Sequence, residues 1–127
     1  LIRIQDIMRQ DHAVPSVHLK TSLKDALIEM SKKGLGMTAV VDDNKVLKGV
    51  FTDGDLRRAF ENGIDIHDTL ISNVMHANPQ NLHPEQLAVD AVQMMDQRKI
   101  NALLVTNQQG QLVGALNMHD LLNAKVV

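Results

Sequence analysis

GVFTDGDLRR, residues 49–58, and GALNMHDLLN, residues 114–123, are one pattern written twice. Each begins with a glycine and two apolar residues, reaches a hydroxyl or amide residue at Thr52 or Asn117, and meets an acid three places later at Asp55 or Asp120. An apolar run ending on such a residue, with an acid at the third helical position, predicts a strand that turns directly into a capped helix. A shift of 65 places lays residues 21–59 on residues 86–124 without a gap, and nine of those 39 positions are identical. Average residue usage gives roughly two or three identities by chance. The match resumes upstream after a small change of length, with IQDIM at 4–8 against ISNVM at 71–75. The chain is therefore an internal repeat, divided into residues 1–65 and 66–127.

The same order of periods appears in both halves. Leu23, Ala26, Leu27 and Met30 recur at helical spacing, as do Ala88, Ala91, Val92 and Met95. Gly34 and Gly36 follow the first of these helices and stop it. MTAVV at 37–41 and ALLVT at 102–106 are apolar runs of strand length. DDNK at 42–45 and NQQG at 107–110 have turn chemistry, which returns the chain antiparallel as VLKGVF or QLVGAL. The second helix then starts at Thr52 or Asn117. The expected fold is α+β, two β-α-β-β-α units, each with a small sheet, packed with pseudo-twofold symmetry because neither unit buries its sheet alone. ENGIDIHD at 61–68 reads as a polar connector.

Composition narrows the function. With 44% apolar and 22% charged residues and no run near the ~20 apolar residues of a membrane span, the chain reads as globular, with no membrane partner. The net charge of −2, scattered basic residues and only two aromatics, Phe51 and Phe60, argue against nucleic acid as a partner. The lack of cysteine excludes disulfides and thiolate chemistry and is compatible with a cytoplasmic setting. Leu1 opens the chain with neither an initiator Met nor a leader, as expected of a fragment of a longer protein.

Two readings of the motif compete. In the first it is only a capping box. In the second, the helix start beside a strand end receives an anion such as phosphate, the ionised Asp accepts hydrogen bonds from a ribose diol, and Gly54 lets a ligand approach the backbone. Arg57 and Arg58 follow Asp55 and either reach a ligand anion or stay solvated; His119 sits inside the second motif. The six histidines form no H-x-x-x-H or H-E-x-x-H pair, and only His18 and His83 fall on matching repeat positions, where a surface role at a strand end is expected. Met30 and Met95 read as core, and Met8 and Met75 as closing the lead-in turns. No catalytic triad, P-loop or dinucleotide fingerprint is present, so no catalytic residue and no cofactor are expected.

The pattern of Gly, two apolar residues, Thr or Ser, two residues and Asp, repeated at this interval behind an IxDIM-like lead-in, resembles cystathionine β-synthase (CBS) domains in tandem, a Bateman module, over nearly the whole chain. That resemblance implies a regulatory segment that takes a nucleotide-type ligand in crevices between two modules. The motif Asp would meet the ribose, and the motif Thr or Ser would lie near phosphate. Carried over residue by residue, the ligand-binding set is Thr52, Asp53, Gly54 and Asp55 with Arg57 in the first motif, and Asn117, His119 and Asp120 in the second. Asn117 departs from the hydroxyl residue, so phosphate contact is in question there. FTDGDLRR, the lead-in and MHDLL further resemble the C-terminal CBS pair of bacterial arabinose-5-phosphate isomerases. This implies an attached sugar-isomerase domain, a role in Kdo biosynthesis, assembly as a homodimer or higher homo-oligomer, and a regulatory ligand, CMP-Kdo first and an adenine nucleotide second. The alternative is a structural module that sets oligomeric state and binds no ligand.

Overall fold

In the computed structural model, which describes residues 1–127, MTAVV and ALLVT are strands β2 (Met37–Val41) and β5 (Ala102–Thr106), both buried along their whole length. Each returns through a tight turn built on its first side chain. Asp42 Oδ1 accepts the Asn44 and Val46 N–H groups at 2.9 and 3.0 Å, and Asn107 Oδ1 accepts those of Gln109 and Gln111 at 3.0 and 2.9 Å. The left-handed residue of the turn is Lys45 (φ 65°) in one copy and Gly110 (φ 78°) in the other. The returning strands are β3 (Leu47–Thr52) and β6 (Leu112–Asn117), antiparallel to β2 and β5.

Helix α1 (Ile4–Ile7) lies in the lead-in. Helices α2 (Leu23–Lys33) and α4 (Ala88–Arg98) precede the two hairpins, and α3 (Asp53–Glu61) and α5 (Met118–Asn123) follow them, which is the expected order twice over. The apolar stripes face inward as read: Leu23, Ala26 and Met30 on α2, and Ala88, Ala91 and Met95 on α4, are buried. Gly34 ends α2 in the left-handed conformation at φ 73°, while Lys99 does the same for α4 at φ 57°. No helix is long and apolar enough to cross a membrane.

The compact units divide the chain differently from its sequence halves. One is continuous, Pro15–Pro79; the other is discontinuous, Leu1–Val14 with Gln80–Val127. The expected boundary at 65/66 follows the repeat, whereas packing moves each lead-in to the other sheet. In the continuous unit, β1 (Ser16–His18) runs parallel to β2, and β4 (His76–Ala77) closes the other edge against β3, giving the order β1-β2-β3-β4. In the discontinuous unit the edge strands shrink to single bridges on the two-stranded sheet, Leu82 parallel to Val105 and Arg9 antiparallel to Ala115.

Each unit has its own core. Phe51, Leu23, Val40 and Ile71 are fully buried in the first, and Ile4, Leu82, Leu103, Leu116 and Leu121 in the second. Burying one such side chain stabilises by roughly 1.5–3 kcal/mol, so Ile4 ties the lead-in to residues 80–127. ENGIDIHD is less polar in effect than in composition, because Ile64 and Ile66 pack on the core of the continuous unit.

Candidate functional site

Thr52 is both the last residue of β3 and the N-cap of α3. Its N–H and its hydroxyl donate to Asp55 Oδ2 at 3.0 and 3.1 Å, and the Asp55 N–H donates to Thr52 Oγ1 at 3.3 Å. The capping box expected from the sequence is thus complete, and it fills one carboxylate oxygen. The other oxygen, Oδ1, accepts a single bond of 2.6 Å from Arg58 Nη2. The Arg58 side chain is 66% exposed and Asp55 only 13%. A solvent-exposed pair one helical turn apart is weak, so Arg58 can swing away and leave Oδ1 open.

The other first-motif residues surround this carboxylate unequally. Asp53 is exposed and donates its N–H to the Gly36 carbonyl at 3.2 Å. Gly36 has φ +70°, and a Cβ there would lie 3.1 Å from Asp53 Oδ2, so glycine is favoured. Gly54 is half-buried, and a Cβ would meet nothing nearer than Arg58 Nη2 at 3.5 Å, so packing does not demand glycine there. Arg57 is exposed and makes no bond to Asp55: residues two apart face different sides of a helix.

The second motif has the same backbone and a different charge arrangement. Asn117 caps α5: its N–H donates to Asp120 Oδ2 at 3.0 Å, and its Oδ1 accepts the Asp120 N–H at 2.9 Å. A guanidinium takes the remaining carboxylate positions. Arg9 Nε donates to Asp120 Oδ2 at 3.0 Å and Nη2 to Oδ1 at 3.2 Å, a bidentate pair whose side chains are 28% and 17% exposed. The Arg9 backbone is fixed as well, donating to the Ala115 carbonyl at 2.8 Å and accepting the Ala115 N–H at 3.2 Å. Asn101 stands in the place of Gly36, its carbonyl accepting the Met118 N–H at 3.0 Å, and His119, in the place of Gly54, is exposed and off the carboxylate.

An open recess of about 480 Å³ adjoins this second motif, with Val92, Met95, Asp96, Lys99, Asn101 and Met118 in its wall. The matched histidines are occupied at strand ends: His18 Nε2 lies 2.7 Å from Asp43 Oδ1, and His83 Nδ1 lies 3.0 Å from the Thr106 carbonyl. No three His, Asp or Glu side chains converge as a metal site.

Sequence reasoning missed Arg9. The only available signal is that the lead-ins, matched at a shift of 67, pair Arg9 with His76, a charge difference whose meaning appears only when each lead-in is placed on its sheet. His76 bridges Val50 as Arg9 bridges Ala115, yet its side chain makes no bond to Asp55.

The CBS domain family matches residues 4–62 and 71–127. The arabinose 5-phosphate isomerase KdsD of Pseudomonas aeruginosa is 47% identical over 127 residues, which are 100% of this chain and 39% of that protein. The chain thus spans about two-fifths of the length of this curated relative. CBSX2 of Arabidopsis thaliana, solved in complex with AMP, superposes with a TM-score of 0.87 at 24% identity, covering 99% of this chain and 97% of the other. The CBS domain protein PAE2072 of Pyrobaculum aerophilum, also complexed with AMP, gives 0.83 at 21% identity, covering 94% and 90%. At such identities the structural likeness shows the fold.

Proposed function

The chain belongs to the CBS domain family, as a tandem pair, and from that premise we propose that it is a regulatory module that binds a nucleotide-type ligand and modulates an attached sugar-isomerase domain. The observation that carries this reading is the first motif: a half-enclosed carboxylate, Asp55, whose Oδ1 is held only by an exposed Arg58, beside the Thr52 hydroxyl. A ribose diol donating to Asp55 would replace the bond from Arg58, which is then free to meet the ligand's phosphate. AMP in two proteins of this fold supports the nucleoside part, and the similarity to KdsD supports the isomerase part.

The ligand favoured is CMP-Kdo, the activated form of the sugar to which an arabinose-5-phosphate isomerase leads, with an adenine nucleotide second. With no Trp or Tyr, the base would rest on aliphatic side chains and backbone. The pair itself performs no catalysis in this reading, works in the cytoplasm and assembles as a homodimer through apolar side chains left exposed on its helices, among them Ile28, Phe60, Val89 and Leu122. Sedimentation at micromolar concentration should show the dimer, and a monomer would remove that part.

Thermal shift with CMP-Kdo, CMP, AMP and ATP tests the ligand. Binding to the folded state alone stabilises by about 2.7 kcal/mol at a hundredfold excess over Kd, and Asp55→Ala should abolish most of it. No shift with any of the four would leave a plain helix cap and a structural module.

A further inference from the structure

The two motif acids are not equally available, and the residue that separates them lies outside both motifs. We propose that Arg9 is the residue that decides which motif accepts a ribose: it keeps the second motif shut to a diol, so that the chain binds nucleotide at the first motif alone. This inference rests on the nucleotide-binding reading given above.

A carboxylate offers about four acceptor positions, two on each oxygen. A vicinal diol needs one free position on each oxygen, or a partner that yields easily. On Asp120, Oδ2 is filled by the Asn117 N–H and Arg9 Nε, and Oδ1 already carries Arg9 Nη2. The Arg9 Nε bond must break before a diol can reach Oδ2, and it comes from a planar fork that also holds Oδ1 and whose backbone is pinned on β6 by two further hydrogen bonds. Asp55 carries as many bonds, from the Thr52 N–H and hydroxyl on Oδ2 and from Arg58 on Oδ1, but the hydroxyl can rotate to another acceptor and the Arg58 side chain is 66% exposed, so on each oxygen there is a partner that yields. The open recess beside the second motif is walled by Asn101 and Met118 and not by Asp120, so the difference between the motifs lies in the bonds on the two carboxylates. The place of Arg9 in the continuous unit is held by His76, which leaves Asp55 alone.

Arg9 therefore acts through Asp120 as a positioning residue. Calorimetric titration of the whole chain with AMP tests this. The wild type should bind one AMP per chain, lost in Asp55→Ala. Arg9→Gln, which keeps the bridge to Ala115 and removes the fork, should bind two, the new site being lost in Arg9→Gln with Asp120→Asn. Arg9→Lys, a point charge without the fork, should weaken the second site at least about tenfold relative to Arg9→Gln; it also serves if the Gln variant does not give a native melting profile. Wild-type binding lost in Asp55→Ala, with Arg9→Gln and Arg9→Lys still at one site, would overturn the role of Arg9 and leave the nucleotide reading standing. Two sites in the wild type, or a single site lost with Asp120→Ala rather than Asp55→Ala, would overturn it too. An Arg9 variant that binds through Asp120 while the wild type binds nothing would uphold Arg9 and remove the first-motif reading. No binding by any variant would remove both.

Discussion

Gly49 and Gly114 head the two motifs for a reason of contact rather than conformation. A Cβ on Gly49 would run into the Met75 side chain and lie 3.0 Å from the His76 carbonyl oxygen; on Gly114 it would run into Met8 and lie 3.0 Å from that of Arg9. The thioether can turn aside, but the carbonyl belongs to the neighbouring strand or bridge. Gly114→Ala should therefore destabilise the protein by about 1–3 kcal/mol, an overpacking cost read as a lower denaturant midpoint at unchanged slope. A midpoint equal to that of wild type would show that the lead-in yields. Glycine identity at these positions was visible in the repeat, as were Met8 and Met75, but their meeting was not. The residues touch across 106 and 26 positions respectively, and no local periodicity records that. The same distance hides Arg9 from Asp120, 111 positions apart. The contacts within the motifs, Thr52 with Asp55 and Asn117 with Asp120, span three residues and were legible from the capping rule alone.

Elements repeat their roles with different chemistry. Helix α2 ends on Gly34 and α4 on Lys99, both in the left-handed region, where a Cβ costs energy and glycine does not. Lys99→Gly should stabilise by about 0.5–1 kcal/mol, the relief of strain exceeding the added freedom of the unfolded chain, and a lower melting temperature would contradict this. Helix α2 is also tied to β1, for Glu29 Oε2 accepts the Ser16 N–H at 3.0 Å and a bond from Lys33 Nζ at 2.7 Å. Burial works to raise the Glu29 carboxyl, but those two bonds and the charges of Lys33 and Lys32 outweigh it, and its pKa is lowered. A carboxyl lowered by folding contributes stability that is full above its ordinary range and is lost as pH falls through the folded value. Glu29→Gln should flatten the acid side of the stability profile, and urea midpoints at successive pH values that fall as steeply as wild type would refute the linkage. Strand bounds came close from sequence because β2 and β5 are mostly apolar runs, buried throughout and closed by turn residues. The opening strand of each unit was expected from the β-α-β-β-α order and the strand-end histidines, though without bounds; β4 and the Arg9 bridge escaped notice, being two residues long or a single bridge, too short for alternation to show.

For the whole molecule, the partition matters more than the repeat. Residues 1–14 complete a unit otherwise made of 80–127, through buried Ile4, the Ile4 N–H to the Gln86 carbonyl at 2.8 Å and the Arg9–Ala115 bridge. A fragment cut at the sequence halves, residues 66–127, lacks all of these and should show no cooperative unfolding. In the full chain Ile4→Ala should cost about 2–5 kcal/mol. Cooperative melting of 66–127 would show that the lead-in is dispensable. The discontinuity also has a consequence in time. As the chain leaves the ribosome, residues 15–79 hold every strand of their own sheet and can close at once, but the lead-in that emerged before them must wait for β6 and α5, made long after it. Joining ends so far apart is the entropically slow step, so the discontinuous unit should form last in refolding, and the stretch that waits carries exposed Leu1 and Ile2 beside a core residue without its partners. During that interval the nascent lead-in shows Ile4 to solvent, the kind of transiently exposed apolar segment that chaperones exist to hold.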